Sequence, residues 1–95
     1  MTHYRKGTDF ERRVKHELED AGWFVVRSAG SHGPVDLVAI RAGSPTMLIQ
    51  CKTAPPTGAE TVALDMFAAT MPGYNVAFAT PTAGGEVYRL STPGA

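Results

Sequence analysis

Between Val35 and Lys52 two apolar runs flank a four-residue turn, Ala42-Gly43-Ser44-Pro45, and this arrangement restricts the chain more than any other feature. Val35 to Arg41 and Thr46 to Lys52 are too short for stable helices and carry β-branched and aliphatic side chains, so each reads as a strand. A turn this short makes the pair an antiparallel hairpin. Val35, Leu37 and Ala39 then share one face, with Asp36, Val38 and Ile40 on the other. Polar residues break the pattern at one end only. Asp36 lies inside the first run, and Gln50 and Lys52 close the second, two apart and therefore on one side of the sheet. With Gly43 and Ser44 at the centre of the turn, Asp36 falls opposite Cys51.

The remaining elements follow from periodicity and punctuation. Thr8 and Glu11 have the spacing of a capping box, and Phe10, Val14, Leu18 and Ala21 recur at helical period, which predicts a helix from Asp9 to Ala21. Gly22 ends it as a C′ glycine. Trp23 to Ser28 is a strand, and Ala29 to Pro34 a loop. After Pro55, Pro56 and Gly58, the segment from Ala59 to Thr70 sets Val62, Ala63, Met66 and Phe67 at helical spacing. Asn75 to Thr80 is a buried strand and Glu86 to Leu90 an edge strand. The order α-β-β-β-α-β-β describes an α/β fold with a central mixed sheet flanked by helices. At 95 residues the chain forms one domain, residues 1–95, that buries about 60–65% of its unfolded surface and gains from dimerisation.

Charge excludes some functions and localises others. The formal net charge is zero, unlike a general nucleic-acid coat protein. Residues 1–52 carry eight bases against six acids, a net of +2, and residues 53–95 carry one base against three acids, a net of −2. That asymmetry suits a phosphate-binding face in the first half, and equally a mixed solvated surface. No apolar run spans a bilayer, the first residues do not form a signal peptide, and a lone Cys51 forms no internal disulfide. A cytoplasmic protein without a membrane partner is expected.

The polar group at the hairpin end carries the chemistry. A carboxylate, an amide oxygen and an ammonium converging there suit Mg²⁺ and a phosphate, since hard divalent ions take oxygen ligands. The plainer alternative is a surface ion pair between Asp36 and Lys52 with Gln50 merely exposed.

Four segments in sequence order carry a resemblance: Gly7-x-x-Phe10-Glu11-Arg12, Gly22-Trp23-x-Val25-Val26-Arg27-Ser28-Ala29-Gly30-Ser31, Gly33-Pro34-Val35-Asp36-Leu37-Val38-Ala39 and Leu48-Ile49-Gln50-Cys51-Lys52. Together they resemble the archaeal-type Holliday-junction resolvases of the PD-(D/E)xK nuclease superfamily. The likeness covers residues 5–53, and the second half matches only as a helix followed by two strands. The resemblance implies a restriction-endonuclease-like core and a metal-dependent endonuclease that cuts four-way DNA junctions by paired symmetric phosphodiester cleavage. It implies a catalytic set of Glu11, Ser31, Asp36, Gln50 and Lys52. Glu11, Asp36, Gln50 and the backbone carbonyl of Cys51 would hold Mg²⁺, with Mn²⁺ as a substitute, and the Cys51 thiol would lie in the core. Ser31 would contact the scissile strand, and Arg5, Lys6, Arg12, Arg13, Arg27 and His32 would contact DNA. The N-terminus of the first helix, near Thr8, would add donors to phosphate.

Some roles stay open. Glu11 also fits the capping partner of Thr8, Arg12 and Arg13 fit solvated helix positions, and His32 is either a base or incidental. Gln50 stands where the family usually has glutamate, which removes one charge from the site. Branched DNA and a second copy of the chain are the implied partners, with Met66, Phe67, Met71, Tyr74, Val76 and Phe78 as candidate dimer surface. Two alternatives remain: another PD-(D/E)xK nuclease of nicking, repair or restriction type, and a catalytically silent DNA-binding module with the same fold.

Overall fold

Phe10, Val14 and Leu18 recur every four residues, and they form the buried stripe of a helix, α1, that runs over Thr2–Asp20. The computed structural model describes residues 2–28 and 33–93, with the side chains of the first helix from residue 7 onward. The helix begins earlier than its periodicity suggests, so Thr8 is interior to it and caps nothing. Gly7 costs about 1 kcal/mol relative to alanine in a helix, too little to stop one in a stretch free of proline. The anion-binding N-terminus expected near Thr8 is therefore absent. The other end is as expected. Gly22 adopts φ +97°, its N–H donates to the Glu19 carbonyl, and the Trp23 N–H donates to the Leu18 carbonyl. These two bonds form a Schellman motif that satisfies the last helical carbonyls.

Five strands follow the expected order around a second helix. They are β1 (Phe24–Arg27), β2 (Leu37–Ile40), β3 (Met47–Cys51), α2 (Gly58–Ala69), β4 (Asn75–Thr80) and β5 (Arg89–Ser91). The sheet runs β1-β2-β3-β4-β5, antiparallel except for β3 and β4, which lie parallel because α2 carries the chain back across the sheet. Two boundaries differ from the sequence reading. Asp36 precedes β2 instead of sitting inside it, and the β2–β3 register pairs Leu37 with Ile49. Continuing that ladder sets Asp36 beside Gln50, one residue from the expected Cys51, because the hairpin turn centres on Gly43 (φ +81°). β5 begins at Arg89 and not Glu86, since Thr82 Oγ1 donates to the Glu86 carbonyl and keeps those residues in the turn.

The sheet has a helix on each side. On one side α1 packs Phe10, Val14 and Leu18 against Val25, Leu37, Ala39, Ile49 and Ala79. On the other, Leu64 of α2 packs with Leu48, Val76 and Phe78, flanked by half-buried Phe67, Ala68 and Met71. Val76 and Phe78 are thus core and unavailable to a partner, which corrects the candidate dimer surface. Of that set only Met66 (66% exposed) and Tyr74 face solvent. Because α2 lies over β4, the same side of β1 and β2 stays open and exposes Phe24 (67%), Val26 and Ile40. Val62 and Met66 add an apolar outer face to α2 itself.

Candidate active site

One end of the sheet collects the ionisable groups. The C-terminal ends of β1, β3 and β4 meet the N-terminal ends of β2 and β5 there, as the pairs Arg27↔Leu37, Leu37↔Ile49, Cys51↔Ala79 and Thr80↔Arg89 require. Asp36 sits where β2 begins. Its N–H donates to the Ile49 carbonyl (2.7 Å), and its carbonyl accepts from the Ser28 N–H (2.8 Å). The carboxylate accepts from the Cys51 N–H through Oδ2 at 2.8 Å. Alternation along β3 turns the N–H and carbonyl of Cys51 together toward β2, since the Lys52 N–H bonds the Ala79 carbonyl on the β4 side. Asp36 therefore shares its end of the hairpin with a backbone carbonyl as well as a backbone donor.

Glu11 arrives from α1. It follows Phe10 at the edge of the buried stripe, so its side chain is half-buried beside the sheet. Arg27, on the α1 side of β1, donates from Nε to Glu11 Oε1 at 3.1 Å. Burial raises the Glu11 pKa above its ordinary value and the nearby Asp36 charge raises it further, while Arg27 opposes both. Asp36 is likewise pushed up by burial, against the Cys51 N–H and the positive charges of Lys52 and Arg27. Glu11 and Asp36, from two separate elements, thus lie near enough for the charge of one to act on the other. Glu11 is not the capping partner of Thr8.

Lys52 does not pair with Asp36. Its Nζ lies 2.5 Å from Glu60 Oε2, and Glu60 Oε1 accepts from the Thr57 N–H at 2.8 Å. Thr57 Oγ1 in turn accepts from the Glu60 N–H at 3.1 Å, completing a capping box at the start of α2. The anticipated Asp36–Lys52 surface ion pair is therefore replaced by a lysine held at the N-terminus of α2. Glu60 was missed in the sequence reading. Its signal was the Thr57-x-x-Glu60 spacing behind Pro55-Pro56, the same signature that was assigned to Thr8.

Gln50 is half-buried on β3, and alternation sets it on the side of the sheet opposite Cys51. The Cys51 thiol packs against the α1 core, and burial together with the Asp36 and Glu11 charges pushes its pKa far up. It stays protonated and is no nucleophile. Arg12 and Arg13 are exposed on α1. Ser31 and His32 lie outside the described residues, as do the side chains of Arg5 and Lys6. Among the described residues, no three His, Cys, Asp or Glu side chains are grouped to hold a metal. Among the described residues, this end gathers the carboxylates of Glu11 and Asp36, the Gln50 amide and the Cys51 carbonyl, with the Glu60 carboxylate engaged by Lys52.

A sequence model of the archaeal Holliday junction resolvase (Hjc) family matches residues 2–65. The chain belongs to that family. The Hjc match includes Glu11, Asp36, Gln50, Lys52 and Glu60 and ends within α2. Among curated proteins, the crossover junction endodeoxyribonuclease Hjc of Methanocaldococcus jannaschii is 52% identical over 54 residues. That alignment takes in 57% of this chain and only 39% of the relative's length. Among solved structures, Archaeoglobus fulgidus Hjc, described as a Holliday junction resolvase from an archaeal hyperthermophile, superposes with a TM-score of 0.68 at 29% identity. The superposition covers 93% of this chain and 72% of that one. The fold is thus the restriction-endonuclease-like α/β fold of Hjc, as the sequence resemblance implied.

Proposed function

We propose that this Hjc-family chain is a divalent-metal-dependent endodeoxyribonuclease that resolves four-way DNA junctions by paired symmetric cuts, acting as a homodimer. The observation carrying this reading is the meeting of Glu11 and Asp36, two half-buried carboxylates of raised proton affinity, at the sheet end that also holds Lys52. Two like charges brought together with partial burial cost stability, and a bound cation offsets that cost.

The donor set fits a hard divalent ion. Glu11 and Asp36 would supply charge, and Gln50 and the Cys51 carbonyl neutral oxygens, to an ion such as Mg²⁺ or Mn²⁺. Such an ion supplies Lewis acidity toward the scissile phosphate and lowers the pKa of a bound water. The protein's own groups do the rest. Arg27 orients the Glu11 carboxylate, and the Cys51 N–H fixes that of Asp36. Lys52, steered by Glu60, meets the negative charge that develops on the phosphate. Arg12 and Arg13 on the open side of α1, with Arg5, Lys6, Ser31 and His32, contact the DNA backbone and set its register without reading sequence. Arg27 is engaged by Glu11 and is a positioning residue in this scheme.

A four-way junction presents two equivalent strands, which suits a twofold enzyme. The second copy docks on the apolar outer face of α2 and the open part of the sheet, where Phe24, Val26, Ile40, Val62 and Met66 are exposed. A helix apolar on both faces is normally covered on both. Among the described residues no helix is long and apolar enough to cross a membrane.

The test is cleavage of a labelled synthetic four-way junction beside duplex, flap and single-stranded controls, with Mg²⁺, Mn²⁺ or EDTA. Symmetric paired cuts confined to the junction, lost with EDTA and with Asp36→Asn, are expected. Cutting of duplex or flap alone would replace the resolvase with another nuclease. Junction binding without cutting under either metal would leave a silent DNA-binding module.

A further inference from the structure

Beside the carboxylate site, on the β4–β5 side of the same sheet end, the structure has an open cleft of about 360 Å³. Thr53, Pro55 and Pro56 form one wall as the chain leaves β3. Thr80, Arg89 and Ser91, at the facing ends of β4 and β5, form the other. We propose that this cleft binds the sugar–phosphate backbone of the substrate strand next to the position that is cut. The inference rests on the nuclease reading above and adds a contact surface to it.

Continuity comes first. Thr53 follows Lys52 directly, and Lys52 N–H is bonded to the carbonyl of Ala79, the neighbour of Thr80. Adjacent strands lie about 4.8 Å apart, so the start of β5 stands about 10 Å across the sheet from the end of β3. A strand placed with one phosphate at Lys52 therefore has its neighbouring nucleotides over the cleft.

The lining chemistry matches such a strand and little else. Thr53, Thr80 and Ser91 offer hydroxyls, Arg89 offers a guanidinium, and no carboxylate lines the cleft among the described residues. Arg89 is the sole base after Lys52 in a half of the chain that is otherwise acidic. Other arginines are already engaged: Arg27 holds Glu11, and Arg41 stacks 4.2 Å over Trp23 and donates to the Ala21 carbonyl. Arg89 enters none of the ion pairs among the described residues. The prolines are rigid apolar plates, suited to deoxyribose faces between phosphates that the cations and hydroxyls take. The first wall lies within the span that the Hjc family model matches, and the second lies beyond residue 65.

The test measures binding without cleavage. Fluorescence anisotropy of a labelled four-way junction in EDTA, over a series of salt concentrations, compares the full chain with Arg89→Gln and Arg89→Lys. One phosphate contact fewer lowers the slope of log K against log salt by about 0.9, with binding weakened about three- to tenfold at moderate salt. Arg89→Lys keeps the slope. Arg89→Gln with an unchanged slope and affinity, in a protein that still binds the junction, overturns the cleft alone. A parent chain that binds no DNA overturns the cleft and the nuclease reading together. NMR titrations with inorganic phosphate and with a short oligonucleotide separate a strand cleft from an ion site. Tighter binding of the oligonucleotide, with shifts at Thr53, Thr80 and Ser91, is expected, and equal responses to both refute the strand assignment.

Discussion

Replacing Met66 with alanine tests the assembly while sparing the fold. Met66 lies on the face of α2 opposite Leu64, is 66% exposed, and is absent from both core clusters. Truncating it opens no cavity in the protomer, so the change in protomer stability should stay within about 0.5 kcal/mol. In a twofold interface the loss counts twice. Full burial of a methionine side chain stabilises by about 1.5–3 kcal/mol, of which the exposed two-thirds leaves about 1–2 kcal/mol for a partner to gain. Two copies make about 2–4 kcal/mol, so the dimer Kd should rise about 30- to 1000-fold. Sedimentation equilibrium on both proteins reads this directly, with thermal melting of the dilute protomer as the control. A variant whose Kd moves less than a factor of a few, beside a parent that dimerises, removes the outer face of α2 from the interface. A parent that stays monomeric at millimolar concentration refutes the dimer.

Thr57→Ala removes the hydroxyl that caps α2 and should cost about 0.5–2 kcal/mol, seen as a fall of several degrees in Tm; an unchanged Tm would mean that the helix is held by packing alone. The carboxylate site should also make stability depend on pH. Glu11 and Asp36 bind protons more tightly folded than unfolded, so their contribution is fully present below the unfolded carboxylate pKa and is lost as pH rises through the raised folded values. Without metal, Tm should therefore carry a component that declines with pH across the weakly acidic range, and Asp36→Asn should flatten it. If Glu11 and Asp36 hold the metal as proposed, binding needs both ionised, so the stabilisation added by Mg²⁺ should grow over the same interval. Parent and variant melting curves that superimpose at every pH, with and without Mg²⁺, would contradict this.

Much of the architecture was legible because it rests on short-range rules. The hairpin from Val35 to Lys52, the glycine stop at Gly22 and the element order needed only alternation, period and turn chemistry. Errors arose where two local signals had the same form. Thr8-x-x-Glu11 and Thr57-x-x-Glu60 share a spacing, and only the second is a cap, because prolines precede it and a helix already runs through the first. The carboxylate site was half legible. Asp36, Gln50 and Lys52 sit in one hairpin and announce themselves, and Glu11 was reached by resemblance. The partners that orient these groups, Arg27 for Glu11 and Glu60 for Lys52, come from other elements, 16 and 8 residues away, and no periodicity encodes such pairs. The register slipped by one residue because a four-residue turn permits more than one centre.

The charges at the sheet end bear on how a glutamine at position 50 would fit the proposed metal site. Glu11, Asp36 and Glu60 face Arg27 and Lys52, which leaves one uncompensated negative charge where burial already raises the proton affinity of two of the acids. A third carboxylate in the same half-buried volume would deepen that penalty in the metal-free protein. On the proposed reading, an amide oxygen at Gln50 would add a ligand without adding charge, favouring the metal-free fold at the expense of metal affinity. Lys52 is held by Glu60 and not by Asp36, whose carboxylate is bonded to the Cys51 N–H. Asp36 keeps the Cys51 N–H as the donor to its Oδ2. On the proposed metal-dependent reading, a bound cation would offset the negative charge that gathers at this sheet end.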